Sequence, residues 1–106
     1  MHDPVTNGTI RNEHLSKIDD LNNHAWEVHI SQPTLGLELS NEAKVLSEKY
    51  SYRKGLAYAL RNMGVSHRYL SNLETALSLS MQALEMFVQL GEKSGEAQAY
   101  VSVGAF

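Results

Sequence analysis

The sequence predicts an all-α fold of about five helices, and three observations support this. Apolar residues recur every three or four positions along most of the 106-residue chain, and no stretch alternates like a half-buried strand. Short breaks containing serine, asparagine, proline or glycine divide this pattern into segments of helical length. Small residues also recur after forty positions. The length suits one small domain.

We expect residues 1–12 to form a flexible N-terminal tail, because they mix polar residues, glycine and proline without periodicity. A domain over residues 13–106 follows. Its first helix ends near Val28, and the second runs from Pro33 to Tyr50; proline suits a first turn because no N–H donor is needed there. The apolar positions that define these helices are Leu15, Ile18, Leu21, Ala25, Val28, Leu35, Leu39, Ala43, Leu46 and Tyr50.

The third helix is predicted over about 52–69 and the fourth over 73–90, with Ser71 and Asn72 between them. Gly91 follows the fourth helix, where a left-handed residue commonly ends a helix. A fifth helix begins at about Lys93 and continues to the last residue. Their apolar and small positions are Leu56, Leu60, Met63, Gly64, Ala76, Leu79, Ala83, Met86, Leu90, Ala97, Tyr100, Val101 and Gly104.

The repeat of forty predicts stacked helical units. Its matching pairs are Leu39 with Leu79, Ser40 with Ser80, Ala43 with Ala83, Gly55 with Gly95, Ala57 with Ala97, Ala59 with Ala99, and Gly64 with Gly104. Glycine inside a helix costs roughly 1 kcal/mol relative to alanine, so its repetition indicates that helices pack closely there. In the first unit an offset of 39 is preferred, because an offset of forty would bury the Asp20 carboxylate.

These residues resemble the tetratricopeptide repeat (TPR), in the roughly forty-residue variety found in bacterial signalling proteins. In the second unit the family positions are filled by Leu60, Met63, Gly64, Leu70, Ala76 and Ala83, whereas Ser80 stands in place of the usual aromatic residue. The resemblance implies a right-handed superhelical stack of antiparallel helix hairpins. Its units would be residues 13–50, residues 52–90 and a half unit over 93–106.

The first helices of TPR units line a concave groove. The resemblance therefore implies a set of ligand-groove candidates: Asn22, Asn23, Trp26, His29, Tyr58, Arg61, Asn62, Val65, Arg68, Tyr69 and Gln98. Tryptophan, tyrosine and arginine carry much of the binding energy at protein interfaces. The alternative is that the aromatic residues only pack against neighbouring helices while the arginines are solvated.

A repeat stack needs a polar helix over its last apolar face, and none follows the fifth helix in this sequence. We expect a longer protein, of which this is the N-terminal region, or a homodimer through the unpaired fifth helix, and the two are compatible. The self-association candidates are Tyr100, Val101 and Phe106.

Composition and motif spacing exclude several function classes. The formal charge of −3 argues against nucleic-acid binding, and the absence of cysteine removes thiol catalysis and disulfides. His24 and His29 are five positions apart, which does not stack two ligands on one helix face, so no metal is expected. No cofactor motif, signal peptide or membrane span is evident, and we expect a cytoplasmic location.

The sequence thus predicts a non-catalytic module for protein–protein interaction and self-association. By resemblance, the favoured setting is the N-terminal sensory or dimerisation region of a larger bacterial signalling protein, such as a nucleotide cyclase or histidine kinase. The alternative is a stand-alone adaptor that binds a peptide or protein segment in its groove.

Overall fold

The structure, a computed structural model, describes the backbone of residues 4–104 and the side chains of residues 8–104. Within this range it is all-helical, as the sequence predicts. The five helices are α1 (Pro4–Val28), α2 (Pro33–Lys49), α3 (Arg53–Tyr69), α4 (Leu73–Leu90) and α5 (Lys93–Gly104). The predicted continuation of the fifth helix through Phe106 lies outside the described residues.

Helix α1 begins much earlier than the sequence predicts. Residues 4–12 of the expected flexible tail are helical, and residues 1–3 lie outside the described part of the chain. Within the expected tail, the Arg11 guanidinium donates to the Tyr50 carbonyl oxygen at 2.8 Å. Two residues beyond the tail, the His14 ring stacks on the Tyr50 ring with the centroids 4.2 Å apart. These contacts tie the extension to the end of α2. Because residues 8–13 are otherwise exposed, they need no apolar stripe, so periodicity could not reveal this part of the helix.

The junctions follow the predicted turn chemistry. Pro33 lies in the first turn of α2, and Gly91 adopts the left-handed conformation with φ of +67°, as predicted. Ser51, forty positions before Gly91, is also left-handed, with φ of 53°. Both turns close in the same way: the Tyr52 N–H donates to the Ser47 carbonyl oxygen, and the Glu92 N–H donates to the Phe87 carbonyl oxygen. The repeat therefore extends to backbone geometry.

The helices form two rows. Each helix packs against the next in the chain, and α3 also contacts α1 and α5, so α1, α3 and α5 lie side by side with α2 and α4 behind them. Short connections make consecutive helices antiparallel, which leaves α1, α3 and α5 pointing the same way. Two buried clusters fill the space between the rows, and their members are Ile18, Ala43 and Ala59 in one and Ala57, Leu60, Ala83, Phe87 and Ala99 in the other.

Small residues occur where helices approach closely. A Cβ atom on Gly64 would lie 2.7 Å from the Ser80 Oγ and 3.2 Å from the Ala76 carbonyl oxygen, and one on Gly36 would lie 3.2 Å from the His29 Cα. Gly104 differs from its repeat partner Gly64 because a Cβ there meets nothing within 4 Å.

The offset of 39 for the first unit is confirmed by burial. Ala25 is fully buried, whereas Asp20 and His24, which an offset of forty would place inside, are exposed. The Asp20 carboxylate therefore stays in solvent.

Candidate functional site

A cavity of about 380 Å³ lies between α1, α3 and α5, and we refer to it as the groove cavity. It forms because three parallel helices present equivalent faces to the same side of the molecule. Its lining residues are Asp19, Asn22, Asn23, Trp26, Lys54, Tyr58, Arg61 and Gln98. All of these except Asp19 and Lys54 belong to the predicted groove set.

Arg61 is the central residue of the groove cavity. Its guanidinium lies 4.1 Å from the centroid of the Trp26 ring and 4.9 Å from that of Tyr58, and only 5% of the residue is exposed. Its Nη1 donates to the Oε1 of Gln98, and its Nε and Nη2 donate to the Oδ1 of Asn62 at 3.2 and 2.9 Å. Burial lowers the pKa of Arg61 to about 10, so the group stays charged at neutral pH.

Two asparagines position Arg61 from behind. Asn62 is completely buried, and its Nδ2 donates to the main-chain oxygen of Asn22 at 2.9 Å. The Nδ2 of Asn22 in turn donates to the carbonyl oxygen of Gly55 at 3.0 Å, which joins α1 to α3. Asn62 therefore orients the guanidinium and does not itself line the groove cavity.

Two carboxylates near the groove cavity are engaged by tyrosines. The Tyr52 hydroxyl donates to Asp19 at 2.8 Å, and the Tyr58 hydroxyl donates to Glu92 at 3.0 Å. Burial, followed by these hydrogen bonds, raises the pKa of each tyrosine to about 12. The Lys54 ammonium lies 3.8 Å from the second oxygen of Glu92. These contacts connect α1, α3 and the start of α5 around the groove cavity.

The remaining predicted groove residues lie beside the groove cavity without lining it. His29 is buried, and its Nδ1–H donates to the Trp26 carbonyl oxygen at 2.5 Å. The centroid of its ring lies 4.5 Å from that of Trp26 and 5.6 Å from that of Tyr69. Burial is the main cause that lowers the pKa of His29; the hydrogen bond to Trp26 opposes it and the Arg61 charge adds to it. Val65 is buried, and the Arg68 guanidinium lies 6.0 Å from the Tyr69 ring.

Sequence reasoning missed Asp19 and Lys54 as lining residues. A signal for each exists in the spacing, because Asp19 is three positions before Asn22 and Lys54 is four before Tyr58, which places each pair on one helix face. A charged residue at the edge of a helix is usually solvated, and its neighbours on other helices are not visible in the pattern of one helix alone.

A second surface, the α4–α5 face, is apolar. Its cavity of about 820 Å³ is lined by residues that include Leu77, Met81, Leu84, Val88, Tyr100 and Val103. Of the three predicted self-association residues, Tyr100 lines this face, whereas Val101 is 75% exposed and does not line it. The third, Phe106, lies outside the described residues.

The described residues contain neither a membrane-spanning helix nor a metal-binding group of side chains. No helix between residues 4 and 104 combines the length and apolarity needed to cross a membrane. In the same range, no three His, Asp or Glu side chains are grouped so that they could hold a metal ion.

Comparison of the chain with protein-family models, with curated proteins and with solved structures finds no match.

Proposed function

We propose that this chain is a non-catalytic protein-interaction module that binds a segment of a partner protein in the groove cavity. The observation that carries the proposal is the stack of Trp26, Arg61 and Tyr58 on the cavity wall. These three residue types dominate the binding energy of protein interfaces. Contacts within the chain already hold them in place, so a ligand would order few side chains on binding.

Amide side chains beside this stack suit the backbone of an extended segment. Asn23 is exposed on the cavity lining, and an asparagine amide both donates and accepts hydrogen bonds. Gln98 uses its Oε1 to accept from Arg61, which leaves its Nε2 to donate to a ligand carbonyl. The TPR resemblance adds support, since it assigns ligand binding to the same side of the molecule.

A peptide selection tests this proposal. Peptides would be selected from a random dodecamer library on the full chain. Their binding to the wild type would be detected by the change in fluorescence of Trp26, the single tryptophan of the sequence. Affinity measured by calorimetry is expected to fall at least tenfold, about 1.4 kcal/mol, in Trp26→Ala. The control is Tyr100→Ala, which removes an exposed aromatic residue outside the groove cavity.

Two results would overturn segment binding in the groove cavity. One is that no peptide selected on the wild-type chain binds in solution. The other is that selected peptides bind a folded Trp26→Ala variant as tightly as the wild type. Circular dichroism on each variant separates a loss of binding from a loss of folding.

Self-association through the α4–α5 face is a second candidate function. Leu73, Met81, Val88, Tyr100 and Val101 are all more than half exposed, and they lie on the last two helices of the described chain. An apolar surface of this kind marks an interaction site, and a symmetric dimer would bury the same patch twice. This role would suit the dimerisation region of a larger signalling protein.

Sedimentation equilibrium of residues 1–106 over a wide concentration range tests self-association. The wild type is expected to be dimeric and Tyr100→Glu monomeric, because Tyr100 lines the α4–α5 face and the new carboxylate would be buried in the interface. Val45→Glu is the matched control, since Val45 is 54% exposed on α2, away from the α4–α5 face. A wild-type chain that is monomeric throughout would contradict this second function and leave groove binding unaffected.

A further inference from the structure

The α4–α5 face has a counterpart forty positions earlier in the chain. A cavity of about 350 Å³ between α2 and α3 is lined by Leu37, Glu38, Asn41, Met63 and His67. The repeat partners of its first four lining residues are Leu77, Ser78, Met81 and Val103, and all of these line the α4–α5 face. The repeat therefore forms the same kind of groove twice, and the cavity at the α4–α5 face is the larger, at about 820 Å³.

Two exposed positions of α4 are apolar where α2 has polar residues. Met81 and Val88 line the α4–α5 face and are 54% and 51% exposed, whereas their repeat partners are Asn41 and Glu48. Met81 and Val88 lie outside the two buried clusters, so the core of this chain does not need an apolar side chain at either position. Exposed apolar side chains that form a patch mark an interaction site.

The same face carries negative charge. Glu74 and Glu85 line its cavity at exposed positions where α2 has Thr34 and Val45. Neither glutamate takes part in an ion pair within residues 8–104, and none of the described residues that line the cavity is Lys, Arg or His. The two glutamates are eleven positions apart on α4, which corresponds to about three helical turns or about 16 Å.

We propose that the α4–α5 face binds an amphipathic helix of another protein, with an apolar stripe in the cavity and lysine or arginine residues facing Glu74 and Glu85. An apolar groove suits a helix, which pairs its own backbone N–H and C=O groups, whereas an extended segment would leave some of them unpaired against apolar side chains. Opposite charges beside the apolar contact would select the partner.

Charge disfavours a second copy of this chain as the occupant. A symmetric contact would bring Glu74 and Glu85 of both copies into one interface, and the described lining supplies no cation to pair with them. The inference also goes beyond segment binding in the groove cavity and does not depend on it, because the two cavities share no lining residue.

Three helical peptides that differ only in charge test this proposal. Each has three repeats of Leu-Ala-Ala-Leu-X-Ala-X between acetyl and amide caps, with lysine, glutamine or glutamate at every X, so that the apolar stripe is unchanged. Fluorescein-labelled peptides at nanomolar concentration would be titrated with the full chain and followed by fluorescence anisotropy. We expect the lysine peptide to bind at least tenfold more tightly than the glutamine peptide, and the glutamate peptide to bind most weakly.

Charge variants at exposed positions locate the contact without altering the core. The double variant Glu74→Gln, Glu85→Gln is expected to weaken binding of the lysine peptide at least fivefold. Its control is the double variant Glu27→Gln, Glu42→Gln, which changes the net charge equally at exposed positions outside the α4–α5 face. The control should change the affinity by less than twofold.

A second pair of variants tests the apolar part of the contact. Met81→Asn introduces the residue type of its repeat partner and is expected to weaken binding of the lysine and the glutamine peptides at least fivefold. Val45→Asn is the matched control, since Val45 is also 54% exposed but lies on α2.

Several results would overturn the helix site. Equal binding of the lysine and glutamine peptides, or equal weakening by the two double variants, would mean that Glu74 and Glu85 select no partner. A wild-type dimer that the lysine peptide does not dissociate in sedimentation experiments would assign the face to a second copy. If Trp26→Ala weakens binding of the lysine peptide and Met81→Asn does not, the peptide binds in the groove cavity, so the helix site is wrong while segment binding stands.

Discussion

Helices α3 and α5 carry the same small residues forty positions apart, yet their surroundings differ. Gly55 and Ala59 on α3 are buried, and so are Gly95 and Ala99 on α5. The following positions diverge, because Leu60 is 6% exposed whereas its repeat partner Tyr100 is 58% exposed. A repeated sequence therefore produces two different environments.

The cause is the number of neighbours. Helix α3 is contacted by all four other helices, whereas α5 is contacted by α3 and α4 within the described residues. The face of α5 that corresponds to the covered side of α3 is the one that carries Tyr100 and Val101. Repeat spacing therefore fixes which residues face the preceding hairpin, while the helix that covers the other side decides which large residues become core.

Truncation of the paired residues Leu60 and Tyr100 should give the largest contrast. Leu60→Ala is expected to lower the free energy of unfolding by about 2–5 kcal/mol, because it leaves a cavity in the core. Tyr100→Ala should change it by less than about 0.5 kcal/mol at concentrations where the chain is monomeric. Urea denaturation followed by circular dichroism measures both. Equal losses would mean that α5 is as well covered in solution as α3.

A smaller contrast is expected from the paired glycines. In Gly64→Ala the new methyl group would meet backbone atoms of α4, and overpacking of this kind costs about 1–3 kcal/mol. Gly104→Ala adds a methyl group in open space, so we expect a change below about 1 kcal/mol, in the stabilising direction. Thermal unfolding of the two variants compares them directly. A stabilising Gly64→Ala would show that α3 and α4 can separate without loss.

The smallest effect on the free energy of unfolding should come from acidification, which acts on His29 at the end of α1, on the side of α3 away from α5. The pKa of His29 is lowered from 6.5 in the folded chain, so the unfolded chain binds more protons as the pH falls below 6.5. The free energy of unfolding should therefore decrease from pH 6.5 down to the lowered folded pKa. Urea titrations at several pH values measure this dependence.

Two histidine variants assign the acid effect to its source. His29→Gln should remove the loss of stability at pH below 6.5, since the group that takes up the proton is gone. His24→Gln changes an exposed histidine on the same helix and should retain the full loss. The assignment to His29 is refuted if both variants keep the same pH dependence as the wild type.

Several features were predictable because they depend on residues close in the chain. Pro33 and Gly91 mark a helix start and a helix end through their own backbone preferences, and the structure has both. The repeat of forty placed Gly64 at a helix contact, and the cost of burying Asp20 fixed the offset of the first unit. The TPR resemblance assigned Asn22, Trp26, Tyr58 and Arg61 to one groove, and these residues line one cavity.

Other features depend on groups that only the folded chain brings together. The exposed first turns of α1 have no apolar pattern, and their contact with Tyr50 comes from α2. The pairing of Asp19 with Tyr52 and of Glu92 with Tyr58 spans more than thirty positions, so no local spacing could indicate it.

The sequence by itself thus determined the number of helices, the breaks between them and the sides on which they pack, because propensity and periodicity act within a few residues. Only the tertiary structure decided that Arg61 is buried between two aromatic rings with neutral hydrogen-bond partners. Burial and electrostatics depend on every neighbour in space, and for Arg61 those neighbours come from α1, α3 and α5.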